Sequence, residues 1–587
     1  MEKRVLIAIF LSFLVLYAFQ GLFEPPKPKK TATAAASTTA GSKGRAAGKT
    51  PAASDAKASP EAPDNKAVEP VLPPATALVS ARTAQDIRVD TPNVDAVFSN
   101  QGATLKSWKL KNYKDAKGNP LELVVTELLG QYPSPFSLKV DDAAVTQRLN
   151  SALYAVKGPE PATDASGAPI HLSFEYQDAS GLRAEKTFTI DPRKYTIDFQ
   201  TSVVDHGKTL NPAIEWGPGL GDVWNSETNR YLQKPQGLYF DAKAGKVERL
   251  SAKNLGKQST YETAFGYVGV DDNYFMSTLL FPTEPVKVDY EPLAVPQSSA
   301  PKAPTENLVA YTLQPSKAGQ AMRFFFGPKD FDLLASINRD LVRAIDFGWF
   351  SFLVVPLLKA LKWINGFVGN YGWSIIILTV LINMAIFPLR HKSVVSMRRM
   401  QEIQPQMKAI QARYSGLKAT DPAKQKMNTE MMALYKEKGV NPASGCLPMI
   451  LTLPVLYAIY ALLETAIEIR GAPWFGWITD LSLRDPLYIT PILMGISMVW
   501  QQKMTPSTAD PSQQKMMMFM PIVFTVMFLW APSGLVLYWF VSNLWGIGQQ
   551  YVTNYLIGPP VIKAVRPPAE RRLKRVGESK TQAAAKH

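Results

Sequence analysis

At 587 residues the chain exceeds one globular domain and has the length for two or three. Its net charge of +15 suits nucleic acid or an anionic membrane surface, but the bases gather beside apolar runs, at Lys3 and Arg4, over 390–438 and over 563–586, as cytoplasmic flanks of membrane spans do. One cysteine, Cys446, excludes an intrachain disulfide, and the four histidines, His171, His206, His391 and His587, all lie outside the apolar runs, which argues against an intramembrane metalloprotease or a histidine proton relay.

Residues 5–23, VLIAIFLSFLVLYAFQGLF, follow Lys3 and Arg4 and are long enough for a span, longer than the apolar core of a secretory signal. Glu24, Pro25 and Pro26 come next, with no small-x-small cleavage site. Residues 1–24 are therefore expected to form an uncleaved anchor with a cytoplasmic N-terminus. Residues 25–85 are Pro, Ala, Lys, Ser and Thr with few large apolar side chains, too few to offset ordering entropy, and read as a flexible linker. Its Gly44-x-x-x-Gly48-Lys49-Thr50 is one residue short of a phosphate loop and lacks the flanking strand and helix, so no nucleotide site is expected.

Over 86–345 the hydrophobic period changes to two, as in 186–190, 195–203 and 238–241, with Gly, Pro, Asn and Asp between the runs. Many short strands imply a large antiparallel β-sandwich, expected in the periplasm. His206 beside Asp205 suits a turn better than a sugar-processing site, since no motif fixes a geometry, and GPGLG at 217–221 reads as a turn.

Residues 346–370 are apolar, but Lys359 and Lys362 share a helical face and Trp349 and Trp363 bracket the segment. If it crossed, the basic loop after Pro388 would lie outside; an interfacial amphipathic helix on the outer surface keeps that loop inside. Residues 371–390, YGWSIIILTVLINMAIFPLR, then run inward, with one amide, Asn383, near the middle and Pro388, Arg390, His391 and Lys392 at the end. A polar side chain at that depth is a functional question by default. Met400, Ile403, Met407, Ile410, Tyr414 and Leu417 follow at alternating steps of three and four. After a restart at Thr420-Asp421-Pro422, with Asp421 as N-cap, a second helix carries Met427, Met431 and Leu434 and ends near Gly439. The pair predicts a cytoplasmic helical hairpin over 390–440, whose methionines Met400, Met407, Met427 and Met431 are either pliable contacts for varied partners or plain hairpin core. Apolar runs at 447–463, 487–500, 516–530 and 535–547 complete a five-span core over 371–558 and a basic tail fills 559–587. With the anchor this makes six spans and two cytoplasmic termini. Runs of 14–17 residues reach only ~21–26 Å against a ~30 Å hydrocarbon core, which calls for a thinned bilayer or for flanking residues that extend them.

Three long motifs, NPASGCLP at 441–448, DPSQQKMMMFMP at 510–521 and FLWAPSGLVLYWFVSN at 528–543, strongly resemble the YidC family of membrane protein insertases. The resemblance is close from about 347 to 555. The anchor, linker and exported domain match the family's Gram-negative form, with FFFGPKDFD at 324–332 a weaker echo. It implies a multi-domain membrane protein: a polytopic α-helical insertase core in the bacterial inner membrane, with a large periplasmic antiparallel β-sandwich. It also implies a hydrophilic groove, open to cytoplasm and lipid, through which nascent inner-membrane proteins enter alone or with the Sec translocon. No cofactor, metal or nucleotide hydrolysis is implied, and the chain is not expected to be an enzyme. No paired acids, Ser-His pair or metal motif lies within the apolar runs, Glu464 and Glu468 falling at the outer end of one. A solute carrier would show repeated halves, and none is visible.

One departure matters. The family commonly carries an arginine four residues before the aromatic-Pro-Leu ending of this span, where this chain has Asn383 before Phe387-Pro388-Leu389. Asn383 is expected either to keep the groove wet, with Arg390 seven residues on supplying the displaced charge, or to bond a neighbouring helix. Pro388 lies between the two and can kink their shared face. Thr452, Gln501, Gln502, Thr525 and Ser542 are further groove candidates, each better suited, taken singly, to joining helices than to lining a groove. The basic hairpin and Arg571, Arg572, Lys574 and Arg575 of the tail suit contact with the ribosome or with anionic phospholipid.

Overall fold

The computed structural model describes residues 76–557, apart from 116, 159–161, 164–167, 222–232, 256–257, 297–304, 415–421, 441–446 and 505–510. The expected anchor, nearly all of the linker with its Gly44–Thr50 run, Leu417, the Asp421 cap, Cys446 and the basic tail lie outside the described residues.

The described residues of 77–328 form sheets that are antiparallel except for one short parallel pair, Val89 and Asp90 with Ala162 and Thr163. Among the described residues the largest sheet has eleven strands, ordered Ala77–Val79, Ile170–Asp178, Arg183–Asp191, Thr196–Asp205, Met322–Pro328, Phe275–Leu280, Phe265–Asp271, Gln236–Asp241 and Lys246–Leu250, with two short strands off this path. Two five-stranded sheets accompany it, one centred on Thr305–Pro315 and one on Val94–Ser99. Strand Arg183–Asp191 alternates exposed and buried side chains, whereas Phe265–Asp271 and Phe275–Leu280 are buried at every residue and so are covered on both faces. Phe136 is the hub of an aromatic cluster with Phe188, Phe199, Trp216, Phe324 and Phe326. Each such ring contributes ~1.5–3 kcal/mol by burial. Lys186 enters this interior fully buried; its ammonium donates to the carbonyls of Gly102 (2.6 Å), Phe136 (2.8 Å) and Ala103 (3.3 Å). Burial pushes it down to about 7, and the three oxygens oppose that.

Among the described residues the α-helices are α1 (Ala143–Ser151) and α2 (Phe331–Ile337) in the β region, then α3 (Ser351–Val368), α4 (Tyr371–Arg413), α5 (Pro422–Glu437), α6 (Leu447–Thr465), α7 (Ile489–Met504), α8 (Pro511–Phe528) and α9 (Ser533–Ile557). Among the described residues α3 and α4 are long and apolar enough to cross a membrane by length and composition. Helix α4 differs from its expected division at Arg390. It continues unbroken for 43 residues, with Pro388 and Pro405 inside it. A proline removes one backbone bond and bends a helix, but flanking turns carry it on when side chains or neighbouring helices satisfy the freed carbonyl. At ~1.5 Å per residue α4 is ~65 Å long, about twice a ~30 Å hydrocarbon core.

Between α3 and α4 the chain turns in two residues. Gly369 closes α3 in the left-handed conformation (φ 69°), and Asn370 caps α4 by accepting from the Trp373 N–H while its Nδ2 donates to the carbonyls of Pro473 and Trp474, both at 3.1 Å. Helix α3 buries Val354, Leu358, Leu361 and Ile364 and exposes Phe352, Trp363 and Phe367. Its two lysines face the β region: Lys362 Nζ lies 2.5 Å from Asp332, 3.2 Å from Glu468 and 3.7 Å from Asp330, and Lys359 sits over the Phe331 ring. The β hairpin tip docks close by, where Asn273 Nδ2 donates to the Glu464 carbonyl (2.9 Å) and the Arg470 guanidinium covers Tyr274 and Phe275. One continuous hydrophobic core therefore runs from the sheets into the helices.

Candidate functional site

Asn383 lies one turn after Thr379 on α4 and is 3% exposed. Its Nδ2 donates to the Thr379 carbonyl at 2.8 Å and to Ser542 Oγ of α9 at 3.4 Å. Arg390 is two turns on, and its Nη1 reaches back to Asn383 Oδ1 at 3.2 Å. Because α4 stays helical through Pro388, the two residues keep a common face. The side chain of Arg390 is part-buried, with Tyr538 of α9 facing it. Asn383, Arg390 and Ser542 thus meet at one place between α4 and α9.

Further along, the C-terminal half of α9 is polar on two adjoining stripes. Ser542, Gln549 and Thr553 share one, and Asn543, Gln550 and Asn554 the other; all but Ser542 and Asn554 are more than nine-tenths buried. Asn543 Nδ2 donates to Ser497 Oγ of α7 at 3.1 Å. Gln550 Nε2 donates to Asn554 Oδ1 at 2.9 Å, and buried Arg398 of α4 bonds the same oxygen. Trp545, Gln549 and Thr553 follow at steps of four, and each has a buried polar atom, Nε1, Oε1 and Oγ1 respectively, with no protein partner among the described residues. Such atoms are ordinarily satisfied by water. His391 Nδ1 on α4 is a fourth. Apart from Ser542, none of these α9 residues is singled out by sequence reasoning. The signal was present as polar pairs seven apart, 542/549 and 543/550, but most lay past the apolar run that marks the span.

The other candidates fall elsewhere. Gln501 of α7 lies against Gly546 of α9, where an added Cβ would stand 2.0 Å from its Nε2, so it joins the α9 side. Gln502 is half-buried on the same helix, and Thr452 is half-buried on α6. Thr525 is not brought to this place: its Oγ1 donates to the Pro521 carbonyl at 2.7 Å, and its side chain meets Gly495 in an apolar cleft between α7 and α8. Met400, Met407, Met427 and Met431 are half-buried beside Ile403, Ile410 and Leu434, which are buried, while Met432 is 52% exposed. Helices α4 and α5 are joined by Tyr414 Oη donating to Glu430 (2.8 Å) and by Arg413 pairing with it (3.3 Å). Among the described residues no three His, Cys, Asp or Glu side chains converge as metal ligands would.

Two family models match the chain. The 60Kd inner membrane protein family covers residues 363–558, and the YidC periplasmic domain covers 86–360. Proteins called membrane protein insertase YidC are similar over nearly the full length. That of Geobacter metallireducens is 36% identical over 566 residues, 94% of this chain and 98% of its own. That of Syntrophus aciditrophicus is 35% identical over 579 residues, 94% and 99% respectively. A solved structure described as an active YidC insertase with its first transmembrane domain resolved aligns over 82% of this chain and 95% of its own, at 18% identity and a TM-score of 0.33.

Proposed function

The chain belongs to the YidC family of membrane protein insertases, and from that premise we propose that it inserts inner-membrane proteins through a hydrated groove between α4 and α9, centred on Asn383, Arg390 and Ser542. The family is one of inner-membrane insertases with a periplasmic domain, and nascent membrane proteins are the clients such a role implies. The observation that carries the groove is the bond between Arg390 and Asn383 beside a ridge of buried polar atoms that have no protein partner among the described residues.

A charged residue at the bilayer centre costs roughly 2.5–3.5 kcal/mol on insertion scales. Polar side chains and water at half depth reduce that cost for the polar tail of a client, while burial of its apolar segment at roughly 25 cal/mol per Å² drives the process without nucleotide hydrolysis. Asn383 holds the guanidinium of Arg390 toward the middle of the span, so the positive charge sits about one turn deeper than its backbone. That restores part of the charge that a groove arginine at 383 would supply.

Topology follows from the same premise. Helix α3 lies along the outer surface, since both its lysines engage acids or rings of the extramembrane region and its exposed face carries Phe352, Trp363 and Phe367. Helix α4 then runs inward, the α4–α5 hairpin is cytoplasmic, and six spans place both termini inside with the β region in the periplasm. The hairpin and the tail engage the ribosome or anionic phospholipid, and cooperation with the Sec translocon belongs to the same role.

Complementation of a depleted Gram-negative host tests the groove. Asn383→Leu with Arg390→Ala is expected to abolish insertion of an acidic-tailed client and to spare a neutral-tailed one. Full insertion of the acidic client by that double variant would overturn the proposal.

A further inference from the structure

Thr525 lies outside the groove, in a cleft of ≈ 370 Å³ between α7 and α8 lined by Ile492, Gly495, Ile496, Val499, Pro521, Ile522, Thr525 and Val526. Its rim is exposed and wholly apolar: Ile492, Ile496, Ile522 and Val526 are 49%, 59%, 53% and 52% exposed. Its floor is fixed by the contact of Gly495 with Thr525, where a Cβ on the glycine would stand 2.1 Å from Thr525 Oγ1. The cleft follows α7 from Ile492 to Val499, about 10 Å at ~1.5 Å per residue. A single extended hydrocarbon chain fits along that reach, whereas a helix about 10 Å across could lie only against its open mouth. Lys503 continues the same ridge, three turns after Ile492 and one after Val499, and is exposed at the end of α7.

We propose that this cleft seats one acyl chain of an anionic phospholipid, with its phosphate held by Lys503. The occupant is set by shape and charge together: a narrow apolar slot open to the side, and one cation at its end. The proposal rests on the reading that α7 spans the membrane with Lys503 at the cytoplasmic face, where anionic headgroups lie. It is independent of the groove, since none of the cleft residues but Thr525 was a groove candidate and Thr525 is turned away from it.

The full-length protein, purified and stripped of lipid, is titrated with dioleoyl phosphatidylglycerol or dioleoyl phosphatidylcholine and read by native mass spectrometry. Expected is one tightly held phosphatidylglycerol with about a fivefold preference over phosphatidylcholine, the size of one phosphate–ammonium contact near water. Ile496→Trp fills the slot from its exposed rim and is expected to lose both lipids. Lys503→Gln should keep the chain but lose the preference. Equal retention by Ile496→Trp and wild type, or no preference in wild type, overturns the proposal, as does a crosslink from position 496 to a client span with no lipid held. Insertion by the same samples is assayed in parallel. Active protein without the lipid preference sinks this proposal alone, whereas inactive protein that holds the lipid as described sinks the insertase reading instead.

Discussion

Replacing Lys362 with methionine keeps the stem of the side chain and removes the one cation that faces three acids. Asp332 is largely exposed, so its share of the cluster is ~0–1 kcal/mol. Glu468 is the costly partner: its side chain is 7% exposed, with Lys362 Nζ 3.2 Å away. Removing the cation from such a pair costs ~3–5 kcal/mol if the carboxylate stays charged. Burial already pushes the Glu468 carboxyl up, and Lys362 is the charge that holds it down, so in the variant it rises further. An acid whose folded pKa lies above its unfolded value binds more protons when folded. Its contribution is therefore fully present below the unfolded value and is lost as pH rises through the folded one. The unfolding temperature of full-length Lys362→Met in nanodiscs is thus expected to fall most at neutral pH and above, and the deficit to shrink as pH drops from 7 toward 5. Glu468→Gln added to the variant should remove most of the deficit at pH 7. A deficit that ignores pH, or that survives Glu468→Gln, would refute the cluster as the clamp that joins α3 to the turn after α6 and to the β region.

Three further outcomes follow from the packing. Lys186→Met leaves three buried carbonyls without their donor and is expected to destabilise the β region by ~3 kcal/mol in denaturant titration of the full chain. Asn543→Leu removes the bond to Ser497 between α9 and α7, for a loss of ~1–3 kcal/mol read as increased hydrogen exchange in both helices. Gln549→Leu with Thr553→Val removes polar atoms beside Arg390, so insertion of a polar-tailed client into proteoliposomes should slow ~5- to 10-fold at unchanged protein level, at ~1 kcal/mol for the polar contact the client's tail loses.

The sheets were legible where one face of a strand is covered. Ile170–Asp178 and Arg183–Asp191 alternate as expected, but Phe265–Asp271 and Phe275–Leu280 do not, because both faces are buried and no period remains to read. The hydrophobic stripe of the hairpin was legible too, with Ile403, Ile410 and Leu434 buried at the positions its spacing requires. The break expected after Pro388 came from treating a proline as a terminator; neighbouring turns carry α4 past it. Asn383 stood out because it is an isolated amide in an apolar run, and its bond to Arg390 follows from their seven-residue spacing. Gln549, Thr553 and Arg398 did not stand out, since polar residues beyond an apolar run look like ordinary flanks until a neighbouring helix buries them. The clamp at Lys362 joins residues far apart in sequence, and no local pattern announces it.

In the proposed function a client passes the place where Asn383, Arg390 and Ser542 meet. A photoreactive amino acid at position 542, in the full chain in native membranes, tests it against a ribosome-stalled membrane protein whose acidic tail has partly entered. The account predicts an adduct at 542 that weakens severalfold when Arg390 is alanine, and none from position 496 on the far side of α7. A client that crosslinks equally from both positions, or from neither, would contradict it.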